Sequence, residues 1–189
     1  VDLGGNILFS QVREIQDTQL TENGDERLSE FFLGMINDIR SEAPENTDIV
    51  GISFSLPGVV DEQNKKWIFS LSRWKKAWNI ELSEIMEKTG LNVILNKNLN
   101  CELRARIARL AKRSDKNLVL IHWGHGIGVS CSLNGAILTS DKGGFGEVGH
   151  SYVHSETVEL CRCGLHNCLE TQAALWALWP KLKEKYPDV

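Results

Sequence analysis

The sequence predicts an α/β fold, a mixed sheet flanked by helices. Three observations carry that prediction. Short apolar runs of strand length alternate with longer stretches whose apolar residues recur every three or four positions. Glycine-bearing turns join neighbouring strands, and no repeat or low-complexity linker interrupts the pattern. The 189 residues, 42% hydrophobic and 24% charged, suffice for a normal core.

Val1 to Leu3 and Ile7 to Val12 flank Gly4-Gly5-Asn6, which reads as a strand pair joined by a glycine turn. From Glu26 to Arg40, Leu28, Phe31, Phe32, Met35, Ile36 and Ile39 fall at helical spacing and predict an amphipathic helix lying on a sheet. Ile49 to Leu56 follows as a strand. Its end, Pro57-Gly58, is a turn on the edge where open α/β sheets bind ligands. Lys65 to Ser72, with Trp67, Trp74 and Trp78, forms an aromatic, partly basic excursion that reads as packing surface. A short helix is expected from Ile80 to Lys88, a buried strand from Asn92 to Asn96 and a helix from Asn98 to Lys112. Leu118 to Trp123 is a strand. Gly124-His125-Gly126-Ile127-Gly128 then turns into a second strand and an Asn134-Gly135 hairpin. The chain opens without Met in an apolar run and closes just after a helix, which reads as a fragment truncated at both ends.

His150, Cys161, Cys163 and Cys168 form the constellation that most needs a metal. A tight loop gathers three soft thiolates and an upstream imidazole closes a tetrahedron, the donor set of zinc. Four protein ligands leave no open position, so the zinc reads as structural. His166 is a second candidate for the nitrogen ligand, but its place between ligating cysteines would strain the loop and favours His150. Disulfides are the competing use of these thiols. Cys161 and Cys163 are too close for an easy mutual bridge, and neither a signal peptide nor an apolar run of transmembrane length is present. The expected location is cytoplasmic, with no membrane partner. Cys101 and Cys131 read as ordinary core residues. A net charge of −4 argues against a broad nucleic-acid surface, and the basic stretch from Arg104 to Lys116 reads as a solvated helix face.

The order of these motifs resembles the ROK family, the group of bacterial sugar kinases and sugar-responsive transcriptional repressors. Pro57-Gly58-Val59-Val60-Asp61 is similar to its proline-glycine turn, Gly124 to Gly128 to its second phosphate loop, and Glu147-Val148-Gly149-His150 to its sugar motif. The cysteine run ends Cys168-Leu169-Glu170, as in the family. The resemblance implies the actin-like ATPase (ribonuclease H-like) fold. It divides the chain into 1–95, an N-terminal actin-like subdomain lacking its first strand, and 96–189, the start of a second subdomain with the sugar motif and zinc loop. It further implies that Asn96, Glu147, His150 and Glu170 line a sugar pocket, with His150 shared by the metal. Gly124, Gly126 and Gly128 are the implied phosphate-loop positions.

The pattern departs from the family's kinases where chemistry would occur. Their catalytic Asn-Asp is Asn96-Lys97 here, and a lysine ammonium has no lone pair with which to take a proton from a sugar hydroxyl. Asn98-Leu99-Asn100 stands where Ala-Asn-Ala is usual, and Gly-Thr-Gly has become Gly124-His125-Gly126. Asp2-Leu3-Gly4-Gly5-Asn6 resembles the first phosphate motif only superficially; Val1 to Ile7 aligns better as the second strand and its hairpin. ATP is therefore not expected to bind, and no catalytic residue is assigned. The expected function is a non-catalytic sugar sensor, a pseudo-kinase effector domain of a ROK-type repressor that meets DNA only through a segment upstream of Val1. The alternative is an ATP-dependent sugar or amino-sugar kinase with degenerate catalytic residues. The cation at Lys97 predicts a phosphorylated or acidic sugar, and the resemblance predicts a homo-oligomer, dimer or tetramer.

Overall fold

A computed structural model describes residues 1–13, 24–45, 47–69, 78–110 and 116–188. They form two compact units, Val1–Phe54 with Asp61–Leu95 and Ser55–Val60 with Asn96–Val189. The short segment Ser55–Val60 thus groups with the second unit although it lies inside the first stretch of sequence.

In the first unit, helix α1 (Gly24–Glu42) buries Leu28 and Ile36, residues of its apolar stripe. Its Phe32 meets Phe54 of strand β1 (Gly51–Leu56) edge to face, with ring centroids 5.0 Å apart. After β1 the chain turns through Pro57-Gly58 into β2 (Val59–Asp61). The Asp61 carboxylate accepts the Gln63 and Asn64 amides at 3.1 and 2.9 Å and closes the next turn. Hydrogen bonds from the Asn64 side chain and backbone hold that carboxyl below the usual carboxylate range. Strands β3 (Lys66–Phe69) and β4 (Trp78–Glu81) pair antiparallel, with Lys66 opposite Glu81 in an ion pair of 2.6 Å. Trp67 and Ile80, also opposite one another, are buried. Helix α2 (Ser83–Thr89) inserts Ile85 into the same core, and β5 (Asn92–Lys97) pairs with β1 while burying Val93 and Leu95.

Two expectations change here. The strand pair around Gly4-Gly5-Asn6 is reduced to its turn. The Asp2 N–H donates to the Asn6 carbonyl at 3.0 Å, and no ladder continues from it among the described residues. A ribbon with nothing to cover it is marginal in water, and Leu3, Ile7 and Val12 are indeed exposed. Ile80, expected to begin a helix, belongs to β4. The alternation of Ile80 and Leu82 is a strand period, both side chains are buried, and the Leu82 N–H extends the edge by donating to the Lys65 carbonyl at 2.9 Å. Residues 70–77, with Trp74, and residues 111–115 of the basic stretch lie outside the described residues.

In the second unit, helix α3 (Asn98–Arg109) lies on a three-stranded meander of β6 (Leu118–Trp123), β7 (Ile127–Leu133) and β8 (Ala136–Ile137). Leu99 and Leu103 supply the apolar contact, and the buried Ser130 hydroxyl donates to the Asn100 amide oxygen at 2.7 Å, fixing helix on sheet. Asn134 and Gly135, both at positive φ, make the β7–β8 turn. A 3₁₀ turn (Val148–His150) follows. The cysteine loop then leads into α4 (Leu169–Ala173) and α5 (Leu175–Lys185). Cys101 and Cys131 are half-buried on α3 and β7, apart from the cysteine loop.

Candidate metal centre and the residues around it

The loop from Ser151 to Cys168 is closed by its own backbone. Val153 N–H donates to Asn167 O at 2.8 Å, Cys161 N–H to Leu165 O at 2.8 Å, and Gly164 N–H to Cys161 O at 2.9 Å. The Asn167 side chain accepts the Glu159 N–H at 2.9 Å and locks the same turn. These bonds bring together His150, Cys161, Cys163 and Cys168, whose ligand atoms all lie within 4.8 Å of one another. Cys163 Sγ is 3.6 Å from Cys168 Sγ, and Cys161 Sγ is 3.6 Å from His150 Nδ1. A tetrahedron with arms of about 2.3 Å has edges of about 3.7 Å, so the cluster fits one metal ion of that size. His166 is exposed and outside the cluster.

The chemistry of the donor set points the same way. Burial, first, and the neighbouring thiols push the Cys168 thiol up to about 12, and burial raises Cys161 too. Without a cation these groups are neutral thiols at pH 7. A bound divalent metal would stabilise their anions and release the protons.

The 3₁₀ geometry then matters to Glu147. Residues three apart eclipse one another in such a turn, and Glu147 Oε2 comes to 3.9 Å from His150 Nε2, the nitrogen that faces away from the cysteines. If Nδ1 ligates the metal, Nε2 carries the hydrogen and faces that carboxylate, at a distance too long for a direct hydrogen bond. Gly146 sets where this turn begins. Its φ is +86°, a Cβ there would run into the Val129 carbonyl, and its own carbonyl accepts the Val129 N–H at 2.9 Å.

From the other side Glu147 meets Lys97. This lysine ends β5 and immediately precedes α3, and it is 5% exposed. Its ammonium forms an ion pair with Glu147 Oε1 and donates to the Phe145 carbonyl at 2.8 Å. Metal loop, His150, Glu147 and Lys97 therefore form one connected line. Asn96 lies beside it, buried, and its amide oxygen accepts a hydrogen bond from Arg104, two turns along α3.

Glu170 joins a second network. It is buried at the start of α4; Oε1 accepts the Ile127 N–H at 2.8 Å and Oε2 accepts the Trp176 indole N–H at 3.0 Å. Arg162, between two of the cysteines, stacks its guanidinium 4.6 Å from the Trp176 ring centre and reaches to within 3.8 Å of Glu170 Oε2. The same guanidinium donates to His125 Nε2 at 3.0 Å. The glycine turn is thus tied to the metal loop through His125. Gly124 to Gly126 form a bend between antiparallel β6 and β7, Gly128 lies within β7, and a Cβ at Gly126 would come within 2.9 Å of Glu170 Oε1. A side chain at 126 would have to displace that carboxylate from its hydrogen bond to Ile127.

Asn96, Glu147, His150 and Glu170 all fall in this unit, yet both Glu170 oxygens and the Asn96 amide oxygen already have protein partners. The partners themselves, Arg104, Arg162 and Trp176, carried no sequence signal of their role. Only His125 stood out, as the bulky residue in a glycine turn.

A family model described as ROK family matches residues 1–187. The xylose repressor of Bacillus subtilis (strain 168) is 26% identical over 186 residues, which are 97% of this chain and 46% of that protein. A glucokinase of Thermotoga maritima is 31% identical over an alignment of 199 positions that covers 98% of this chain and 60% of that protein. The crystal structure of a ROK family transcriptional regulator, described as a homolog of the MLC protein of E. coli, aligns with a TM-score of 0.65 at 25% identity, covering 86% of this chain and 40% of that one. The chain spans about half the length of the curated relatives it matches.

Proposed function

Because the chain belongs to the ROK family and shares its actin-like ATPase fold, we propose that it is the sugar-sensing effector part of a ROK-type transcriptional repressor, without kinase activity. One observation carries this: the Lys97 ammonium is buried and directs its hydrogens at the Glu147 carboxylate and the Phe145 carbonyl. A general base needs a lone pair aimed at the substrate proton, and this group offers donors only. Asp61, the other carboxylate singled out by its motif, is engaged in its own turn.

Sugar hydroxyls meet Glu147, His150 and Asn96, while Glu170 buttresses the glycine turn through Ile127. The metal is zinc, held by His150, Cys161, Cys163 and Cys168 in a structural role; it would fix the loop that carries His150 and Arg162. ATP binding is not part of this reading: the glycine turn carries His125 where the resemblance expects a threonine, and that imidazole accepts a hydrogen bond from Arg162. In the whole protein, sugar binding would shift the geometry of DNA-binding segments in a homo-oligomer, a coupling that requires different affinities in two states. A cytoplasmic location suits the thiolate site. No described helix is long and apolar enough to cross a membrane.

The glucokinase likeness at 31% identity favours the second reading, a sugar kinase with a relocated base. The two separate in a coupled assay of ADP release with the full-length protein, alongside DNA binding measured with and without sugar. Sensing predicts a sugar-dependent change in DNA affinity, no turnover, and none gained in Lys97→Asp. Turnover in the wild type that Lys97→Asp abolishes would establish the kinase instead.

A further inference from the structure

We infer that Cys163 and Cys168 are a site of reversible oxidation, at which a hydroperoxide joins the two sulfurs as a disulfide and so dismantles the metal centre. This goes beyond the sugar reading and rests on the metal reading above. The Sγ atoms of Cys163 and Cys168 are 3.6 Å apart, already in contact. The three thiols are not equally open to solvent. Cys161 and Cys168 are 2% and 1% exposed, whereas Cys163 is half-buried and the next three residues, Gly164, Leu165 and His166, are exposed. A small oxidant arriving from water therefore meets Cys163 first.

The backbone decides which sulfur can move. Cys168 is held at the start of α4, where its carbonyl accepts the Thr171 N–H at 2.9 Å and the Thr171 hydroxyl at 2.8 Å. Cys161 is held by its bonds to Leu165 and Gly164, with its Sγ against His150 Nδ1. Cys163 sits at the tip of the turn that these bonds close. Beside it, Gly164 has a φ of +88°, and a Cβ there would meet nothing within 4 Å, so this arm has room to shift. Cys161 and Cys163, two residues apart, are too close for an easy mutual bridge, which leaves Cys168 as the partner.

The chemistry balances with a peroxide as the sole co-reactant. As metal ligands both sulfurs are thiolates. Cys163 Sγ attacks the O–O bond and keeps one oxygen as a sulfenic acid, while the other leaves as hydroxide or alkoxide and takes up a proton. Cys168 Sγ then attacks Cys163 Sγ; the S–S bond forms, the S–O bond breaks and the departing hydroxide is protonated to water. Two electrons pass from the two sulfurs to the peroxide. Only His150 and Cys161 of the cluster remain as donors, two where a structural site needs four, so the ion is lost. A dithiol reductant returns both electrons and restores the donor set.

The test treats the full-length, zinc-loaded protein with an excess of hydrogen peroxide beside a chromogenic chelator, then alkylates it and maps the cysteines by peptide mass spectrometry. One ion should be released per chain, with a Cys163–Cys168 disulfide as the principal product. Cys101, Cys131 and Cys161 should remain open to alkylation, and dithiothreitol with fresh zinc should restore the bound ion. Cys163→His keeps a four-donor set of two cysteines and two histidines but removes the oxidisable pair, and should slow release at least about tenfold. Retention of the ion, a principal product other than that disulfide, or a loss that dithiothreitol does not reverse overturns the inference and leaves the metal reading standing. So does a Cys163→His variant that releases zinc as fast as the wild type. A protein that takes up no zinc ends the metal reading and the inference with it. The wild-type map decides the question even where Cys163→His does not load.

Discussion

Removing one partner of the Lys97–Glu147 pair should cost different amounts depending on which partner is removed. The Lys97 side chain is 6% exposed and that of Glu147 26%. Glu147→Gln keeps the shape but strands a buried ammonium against two neutral acceptors, and breaking a buried pair in this way costs about 3 kcal/mol. Lys97→Met leaves a carboxylate with a route to water, so its cost should be about 1 kcal/mol. The double variant removes both charges and should be no worse than Lys97→Met, giving a coupling of about 3 kcal/mol between the sites. For a chain of this length the Glu147→Gln loss corresponds to roughly 6–12 °C in Tm. Urea unfolding of the metal-loaded protein, followed by tryptophan emission, measures all four corners of the cycle. Equal costs for the two single variants, or a double variant equal to their sum, would refute the assignment of a buried, coupled pair.

The metal centre should hold one ion per chain, so Cys168→Ser should lose it while Cys101→Ser and Cys131→Ser retain it, as read by metal content after dialysis against a weak chelator. Because burial raises the Cys161 and Cys168 thiols in the metal-free protein, their ligation displaces two protons, and affinity should climb with pH between 6 and 8, by as much as about two decades per unit from this pair; a flat competition curve would exclude thiolate ligation. In the metal-free protein the sign reverses. The folded Cys168 thiol is raised from 9.0 to about 12, so its contribution to stability is intact below about 9 and is lost as pH climbs toward 12. Arg162→Met should keep the metal yet cost about 1 kcal/mol from the lost stacking on Trp176 and change that indole's emission, measured as a difference from Trp176→Phe; unchanged emission would show that the stack does not persist in solution.

The parts legible in the sequence are those whose partners lie close along the chain. The α1 stripe from Leu28 to Ile36 follows from a period of 3.6, the β7–β8 hairpin from Asn134-Gly135, and the three-cysteine loop from spacings of two and five residues that a short turn can close. Local geometry is sufficient in each case, because few backbone torsions separate the groups. The limits of the same logic appear at Ile80, where helical and strand periods compete over a short segment and only cross-strand pairing to Trp67 decides between them.

Tertiary structure alone decided what the charged groups do. Lys97 and Glu147 are 50 positions apart, His125 and Arg162 37, and Ile127 and Glu170 43. Nothing local fixes such distances; they arise when β7 carries Gly146 and the 3₁₀ turn past the end of β5 and lays the glycine turn under α4. The sequence by itself determined that a lysine follows Asn96, at the position where the resemblance expects a kinase's carboxylate. Whether that cation is free to attract an anion or is held by an internal carboxylate depends on burial and on which loop folds over it, and the folded chain places Glu147 there.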